Sequence, residues 1–157
     1  MLNLLIYVLS FFPWQENPVS KPVKDLFRGM ETNDSTLVRS AFLPGATMLT
    51  ITWEGDETHV KSGNLSDFLA FIGKPKEYTV AEPIWNIEIR QDGAYATLWA
   101  DYALYVDGKM NHCGIDSFEL VQSDGEWKIL SITDTRRKEN CEVPADIVAK
   151  YGSGNEN

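Results

Sequence analysis

The chain has 157 residues and a mass of 17.7 kDa, the size of one compact domain with short tails. With 43% hydrophobic and 24% charged residues it has a globular composition, which excludes a disordered, collagen-like or multi-span membrane chain. Twenty-three Asp and Glu against 14 Lys and Arg give a net charge of −9, and the basic residues cluster only at Arg136-Arg137-Lys138, so nucleic acid and anionic membrane are poor partners.

Residues 1–12 form an apolar run shorter than the roughly 20 residues that span a bilayer. The run has the length of a secretory apolar region, yet no Lys or Arg precedes Lys21 and no A-x-A cleavage site follows. The expectation is a signal-peptide remnant with export favoured over the cytoplasm, set against a buried N-terminal segment. Pro13, Pro18 and Pro22 mark a linker, so residues 1–18 stand apart from a domain over 19–141. Residues 142–157 make a C-terminal extension ending in a polar tail. Cys113 and Cys141 have no metal-ligand spacing; they pair if the chain is exported and stay free thiols if it is not.

Between the ends, Val19, Val23, Leu26, Phe27 and Met30 predict an amphipathic helix over 19–30. Thr32-Asn33-Asp34-Ser35 caps a short second helix holding Leu37, Val38 and Phe42, which Pro44-Gly45 stops. Residues 46–53 read as a strand ended by Glu54-Gly55-Asp56-Glu57. Asn64 or Ser66 then caps a third helix with Leu65, Phe68, Leu69 and Ile72 on one face, terminated at Gly73-Lys74-Pro75. From Tyr78 the period changes to two, with strands over 84–90, 94–106, 112–122 and 126–136 separated by turns at Asp92-Gly93, Asp107-Gly108 and Asp124-Gly125. Helices first and a meander of long strands after them predict an α+β fold, with the helices packed in the concave face of a curved, mostly antiparallel sheet.

That order, with a closing hairpin of Asp124-Gly125 followed by Trp127-Lys128-Ile129, resembles the nuclear transport factor 2-like superfamily, which includes SnoaL-like cyclases and ketosteroid isomerase. Trp99-Ala100-Asp101-Tyr102, His112-Cys113-Gly114-Ile115-Asp116 and Asp134-Thr135-Arg136-Arg137 resemble a bacterial branch of it with no assigned reaction. The resemblance implies a cone-shaped cavity between sheet and helices, without metal or cofactor.

Register decides which side chains line that cone. A two-residue turn at Asp124-Gly125 sets Leu120 opposite Ile129, Asp116 opposite Thr133 and Gly114 opposite Thr135, and the apolar set Phe118, Leu120, Trp127 and Ile129 carries His112 and Asp116 inward with it. For the neighbouring strand, a two-residue turn at Asp107-Gly108 places Trp99 and Asp101 inside. A three-residue turn with a bulge places Leu98, Ala100, Tyr102 and Leu104 inside, and the unbroken apolar set favours it.

His112 and Asp116 are then candidate proton-transfer residues, because an imidazole titrates near neutrality and a carboxyl within apolar walls is pushed upward. Tyr102, Trp53, Thr133 and Trp99 are candidate ligand contacts, and Trp99 with Leu130 and Ile132 also forms a candidate dimer face. The other reading of Asp116 is a satisfied buried pair with Thr133. Three functions compete: a binding domain for a small apolar or aromatic molecule, a cofactor-free isomerase, cyclase or hydratase, and a homodimeric interaction module whose cavity is vestigial. No phosphate-binding, dinucleotide-binding, nucleophile-elbow or calcium-loop motif occurs, and the two histidines offer no zinc set.

Overall fold

The computed structural model describes residues 17–152. The chain enters through a single 3-10 turn, Pro18–Ser20, capped by Asn17, whose side-chain oxygen accepts from the Val19 N–H. Helix α1 (Lys21–Thr32) follows and buries Val23, Leu26 and Gly29 on the face that the spacing predicts. Asn33 ends it in the left-handed conformation, and Asp34 caps α2 (Ser35–Ala41) by accepting from the Leu37 N–H.

Helix α2 stops earlier than the sequence suggests. Phe42 is already extended and begins β1 (Phe42–Glu54), so Pro44-Gly45 lies inside an irregular stretch of strand, where the pairing register shifts between Phe42 and Thr47. Gly45, at φ +83°, adopts a conformation that side-chain-bearing residues rarely take. Strand β2 (Glu57–Gly63) pairs antiparallel with β1 as an exposed polar edge. No strand was legible there, because Glu57-Thr58-His59-Val60-Lys61-Ser62-Gly63 carries no apolar alternation. Asn64 then caps α3 (Leu65–Ile72), and Gly73 follows its end.

The second half of the chain is β3 (Val80–Ala81), β4 (Ile84–Asp92), β5 (Tyr95–Val106), β6 (Lys109–Ser123) and β7 (Glu126–Thr135), closed by α4 (Ala145–Tyr151). The sheet order is β2-β1-β7-β6-β5-β3, with β4 also on β5. The β1–β7 pair is parallel and the others are antiparallel. The fold is therefore α+β, with α1, α2 and α3 against one face of an open seven-stranded sheet. Val19, Val23 and Leu26 pack there with Leu98, Phe118, Leu120 and Ile129. Each such side chain, fully buried, contributes about 1.5–3 kcal/mol.

Two single-residue bulges correct the expected register. The Asp107-Gly108 turn has two residues, pairing Val106 with Lys109 and Tyr105 with Met110, but Asn111 is then extra, so Leu104 faces His112, Tyr102 faces Gly114 and Ala100 faces Asp116. The inward set Leu98, Ala100, Tyr102 and Leu104 is the favoured one, reached by a different device from the expected three-residue turn. On the other side Leu120 faces Ile129 as expected, after which Leu130 is extra. Asp116 consequently faces Asp134, while Thr133 moves to the convex side opposite Ser117. The same bulge turns Ile132 inward against the core, away from the convex face where the sequence reading put it.

Beyond β7, Arg137 bridges back to Cys113 through two backbone hydrogen bonds, and Cys113 and Cys141 form a disulfide. Closing a loop of this length contributes about 3–4 kcal/mol in the chain-entropy model. The linkage holds Val143, Ile147 and Tyr151 against Ala103 and Tyr105, so α4 covers one end of the convex face. Among the described residues no helix is long and apolar enough to cross a membrane. Residues 1–16 and the end of the polar tail, 153–157, lie outside the described residues, so most of the signal-peptide reading falls there.

Candidate functional site

The concave face changes character along the strands. Towards the closing hairpin it is apolar, with Ala96, Leu98, Phe118, Leu120 and Ile129 all inaccessible. From Ala100 onward the same alternation presents Asp116 and His112 on β6, Tyr102 on β5, Asp134 on β7 and Thr50 on β1. An apolar floor thus ends in a cluster of ionisable groups.

Asp116 is 0% exposed and neither of its carboxylate oxygens has a hydrogen-bond partner. The expected partner, Thr133, is on the other face, so the satisfied-pair reading fails. A charged carboxylate in that position would lose its hydration without compensation. Burial first, then the nearby Glu82 and Asp134 carboxylates, push the Asp116 carboxyl well above its ordinary range, and Arg136 offsets this only in part. The surroundings therefore favour the neutral form of Asp116.

Glu82, in the connection between β3 and β4, belongs to the same cluster. Its carboxyl is pushed up to about 8 by burial and by Asp134, with Arg136 opposing. The strand pattern does not mark it, because the first strand assigned after Tyr78 begins at 84 and Glu82 falls before it. The available signal was a lone acid in the apolar run Val80-Ala81-Glu82-Pro83-Ile84-Trp85. Asp134 is the satisfied member of the set. It takes Arg136 Nε at 2.5 Å on Oδ2 and the Thr50 hydroxyl at 2.7 Å on Oδ1, and the same guanidinium also donates to Thr50 Oγ1 at 3.2 Å.

Tyr102 lies in the gap that Gly114 leaves between His112 and Asp116. A Cβ on Gly114 would stand 1.8 Å from the Thr135 carbonyl oxygen and 2.9 Å from the tyrosine ring, so glycine is required by close approach. The Tyr102 hydroxyl donates to that carbonyl at 2.8 Å, and Thr135 compensates by accepting the Ile115 N–H on its side-chain oxygen at 2.9 Å. Burial and the surrounding carboxylates raise the phenol far above its usual range, so Tyr102 acts only as a neutral donor.

His112 is 9% exposed and meets the Tyr102 ring edge-on at 5.7 Å. Its Nδ1 is 2.8 Å from the Asn111 side-chain oxygen, which can only accept, so Nδ1 carries the proton and Nε2 is the free acceptor. Burial lowers its pKa to about 4, with Arg136 and Lys138 adding and Asp134 opposing. Four residues of strand separate His112 from Asp116 by about 13 Å, so they belong to one cluster without touching.

Trp53 and Trp99, 46% and 50% exposed, lie on the convex face with Thr133, away from Asp116 and His112. Two grooves open elsewhere on the surface, one of about 280 Å³ lined by Phe71, Lys74 and Tyr78 among others, and one of about 390 Å³ between Tyr105, Met110, Cys141 and Val148. Neither is lined by Asp116 or His112. No group of three or more His, Cys, Asp or Glu side chains among the described residues is arranged to hold a metal ion.

The buried groups make opposite demands on pH. Glu82 and Asp116 have raised pKa values, so the folded state binds their protons more tightly and their contribution is lost as pH climbs from about 4.5 towards 8 and above. His112 has a lowered value, so its neutral form favours folding above 6.5 and that contribution is lost as pH falls towards 4. Glu82 keeps part of its surface in water, which moderates its share. Between about pH 4.5 and 6.5 the two acids outweigh the one histidine, so thermal unfolding should show greatest stability at about pH 4–5 and a decline as pH rises towards 8, and Asp116→Asn should make that alkaline decline shallower while leaving the acid limb in place. An unchanged alkaline limb in that variant would contradict the assignment.

A family model described as "Putative lumazine-binding" matches residues 15–133. No curated protein matches the sequence. Similar solved structures include a nuclear transport factor 2-like protein of unknown function from Shewanella baltica, 18% identical, with TM-score 0.57 over 78% of this chain and 93% of that one. A protein of unknown function from Mycobacterium tuberculosis is 14% identical, with TM-score 0.62 over 85% and 89%. A scytalone dehydratase-like protein from Novosphingobium aromaticivorans is 13% identical, with TM-score 0.60 over 77% and 83%. At these identities the likeness is one of fold.

Proposed function

The chain belongs to this lumazine-binding-like family and has the nuclear transport factor 2-like fold, and from that premise we propose that the domain binds a small apolar or aromatic molecule on its concave face, with Asp116 anchoring the ligand's polar group. The observation that carries this reading is the Asp116 carboxyl, fully buried at the end of the apolar floor with both oxygens unpartnered. Leaving such a group unsatisfied costs about 1–3 kcal/mol, which folding alone gives no reason to retain. A ligand that hydrogen-bonds Asp116 recovers that energy. Tyr102 supplies an aromatic edge next to it, and the floor of Leu98 and Phe118 continues the apolar surface. The two surface grooves lie elsewhere and the Asp116 oxygens are inaccessible, so this reading requires the polar end of the concave face to open when the ligand enters.

A second reading, cofactor-free proton transfer by an isomerase, cyclase or hydratase, draws on the same carboxyl. An acid whose pKa is raised well above its ordinary range is a competent general acid, and its conjugate base a general base. Tyr102 spends its hydroxyl on a backbone carbonyl and His112 spends Nδ1 on Asn111, so Asp116 is the proton carrier in this reading and His112 Nε2 is a secondary acceptor. Assembly as a homodimer through the convex face remains compatible with either. Trp99 and Trp53 are exposed there, with α4 covering only one end.

Lumazine itself is the first probe. Titration calorimetry should give saturable binding to the full chain, and Asp116→Ala should weaken it at least about tenfold, the value of one lost hydrogen bond to a buried acid, while thermal stability is maintained or raised. Absence of saturable binding, or equal binding by the variant, would sink the reading. For the convex face, light scattering should show a dimer that Trp99→Lys converts to monomer; a monomeric parent chain removes the dimer proposal.

A further inference from the structure

The charge arrangement around Asp116 narrows the ligand class. Asp116 on β6 faces Ala100 from β5 and Asp134 from β7, with Tyr102 two residues along β5, Glu82 reaching the same region from the β3–β4 connection and Arg136 just past the end of β7. Three carboxyl groups therefore share one guanidinium. That guanidinium is committed, since its hydrogen bonds run to Asp134 and Thr50. His112 offers no second cation because burial keeps it neutral, and the Tyr102 hydroxyl is spent on Thr135. Lys138 acts on His112 from an exposed position. Among the described residues, nothing donates a hydrogen bond to Asp116, and none is made by Glu82.

We infer that the polar group taken by this site is a planar cation of the amidinium type on an aromatic body, its two parallel N–H donors seated on the two free oxygens of Asp116 with Glu82 within electrostatic reach. The inference rests on the binding reading above and specifies its ligand. A buried carboxylate with both oxygens unpartnered matches a two-pronged donor, as in arginine–carboxylate pairs, once the site opens to admit it. A neutral donor leaves the buried charge of the ionised form uncompensated, whereas a cation offsets it. An anionic ligand finds no free cation, since the Arg136 guanidinium is committed to Asp134 and Thr50. The chain's net charge of −9 draws cations towards it at long range. On binding, the Asp116 O–H proton leaves to solvent and the resulting carboxylate pairs with the amidinium, so uptake releases a proton and strengthens as pH rises.

The test compares benzamidine, its neutral isostere benzamide, and benzoate by calorimetry on the full chain at pH 7, in two buffers of different ionisation enthalpy. Benzamidine should bind at least about tenfold more tightly than benzamide, with release of up to about one proton, and benzoate should not bind. Asp116→Asn should abolish both the preference and the proton release. Glu82→Gln, which leaves Asp116 in place, should reduce the preference. Equal binding of benzamide and benzamidine, or benzamidine binding that survives Asp116→Asn unchanged, overturns the assignment. If lumazine saturates the site and benzamidine does not, the cation inference alone fails. If neither binds, the binding reading fails and takes this one with it.

Discussion

Two extra residues, Asn111 in β6 and Leu130 in β7, determine what the concave face is made of. Strand side chains alternate with a period of two, so one inserted residue reverses the assignment of everything beyond it. Without the bulge at Asn111, Trp99 would face Asp116 and the apolar set on β5 would point to solvent. Without the bulge at Leu130, Asp116 would lie opposite Thr133 and find a hydroxyl partner. With both, Asp116 faces Ala100 on one side and Asp134 on the other, and Asp134 already has its own cation.

The energetics of the cluster follow from that register. One acid–base pair, Asp134 with Arg136, is completed by Thr50 and stays partly in contact with water, where ion pairs are tolerated. The remaining acids are left without a counter-charge, and the solution available to the protein alone is to keep them protonated. Gly114 makes the arrangement possible sterically. By giving up its side chain it lets the Tyr102 ring and the Thr135 carbonyl approach β6, and the hydroxyl that could have served Asp116 is diverted to that carbonyl. An unsatisfied buried acid is thus maintained by the surrounding geometry, at the place where the apolar floor ends.

Much of this architecture was legible in the sequence. The 3.6-residue spacing of Val19, Val23, Leu26 and Met30 marked α1, and the Asp-Gly turns marked the long hairpins, because both signals arise from local backbone preference. The inward direction of Asp116 and His112 was legible for the same reason, as their parity is that of Phe118 and Leu120. What escaped was non-local. Neither Asn111 nor Leu130 differs in kind from its neighbours, so no local signal marks either as the extra residue that the pairing across strands makes it. Glu82 was hidden in a connection outside the assigned strands and acquires its role only by folding against residues more than thirty positions away. Strand β2 was missed because an exposed edge strand needs no apolar pattern, and α4 because its packing depends on the Cys113–Cys141 link.

The account turns on Asp116 being a neutral, unpartnered acid in the folded protein. A carbon-13 NMR titration of the aspartate side-chain carboxyls, with the Asp116 signal identified by its loss in Asp116→Asn, reads that state directly. The account predicts an Asp116 signal characteristic of the protonated carboxyl at pH 7, titrating well above the ordinary aspartate range. A signal already ionised at pH 7, with its midpoint near 4, would contradict it.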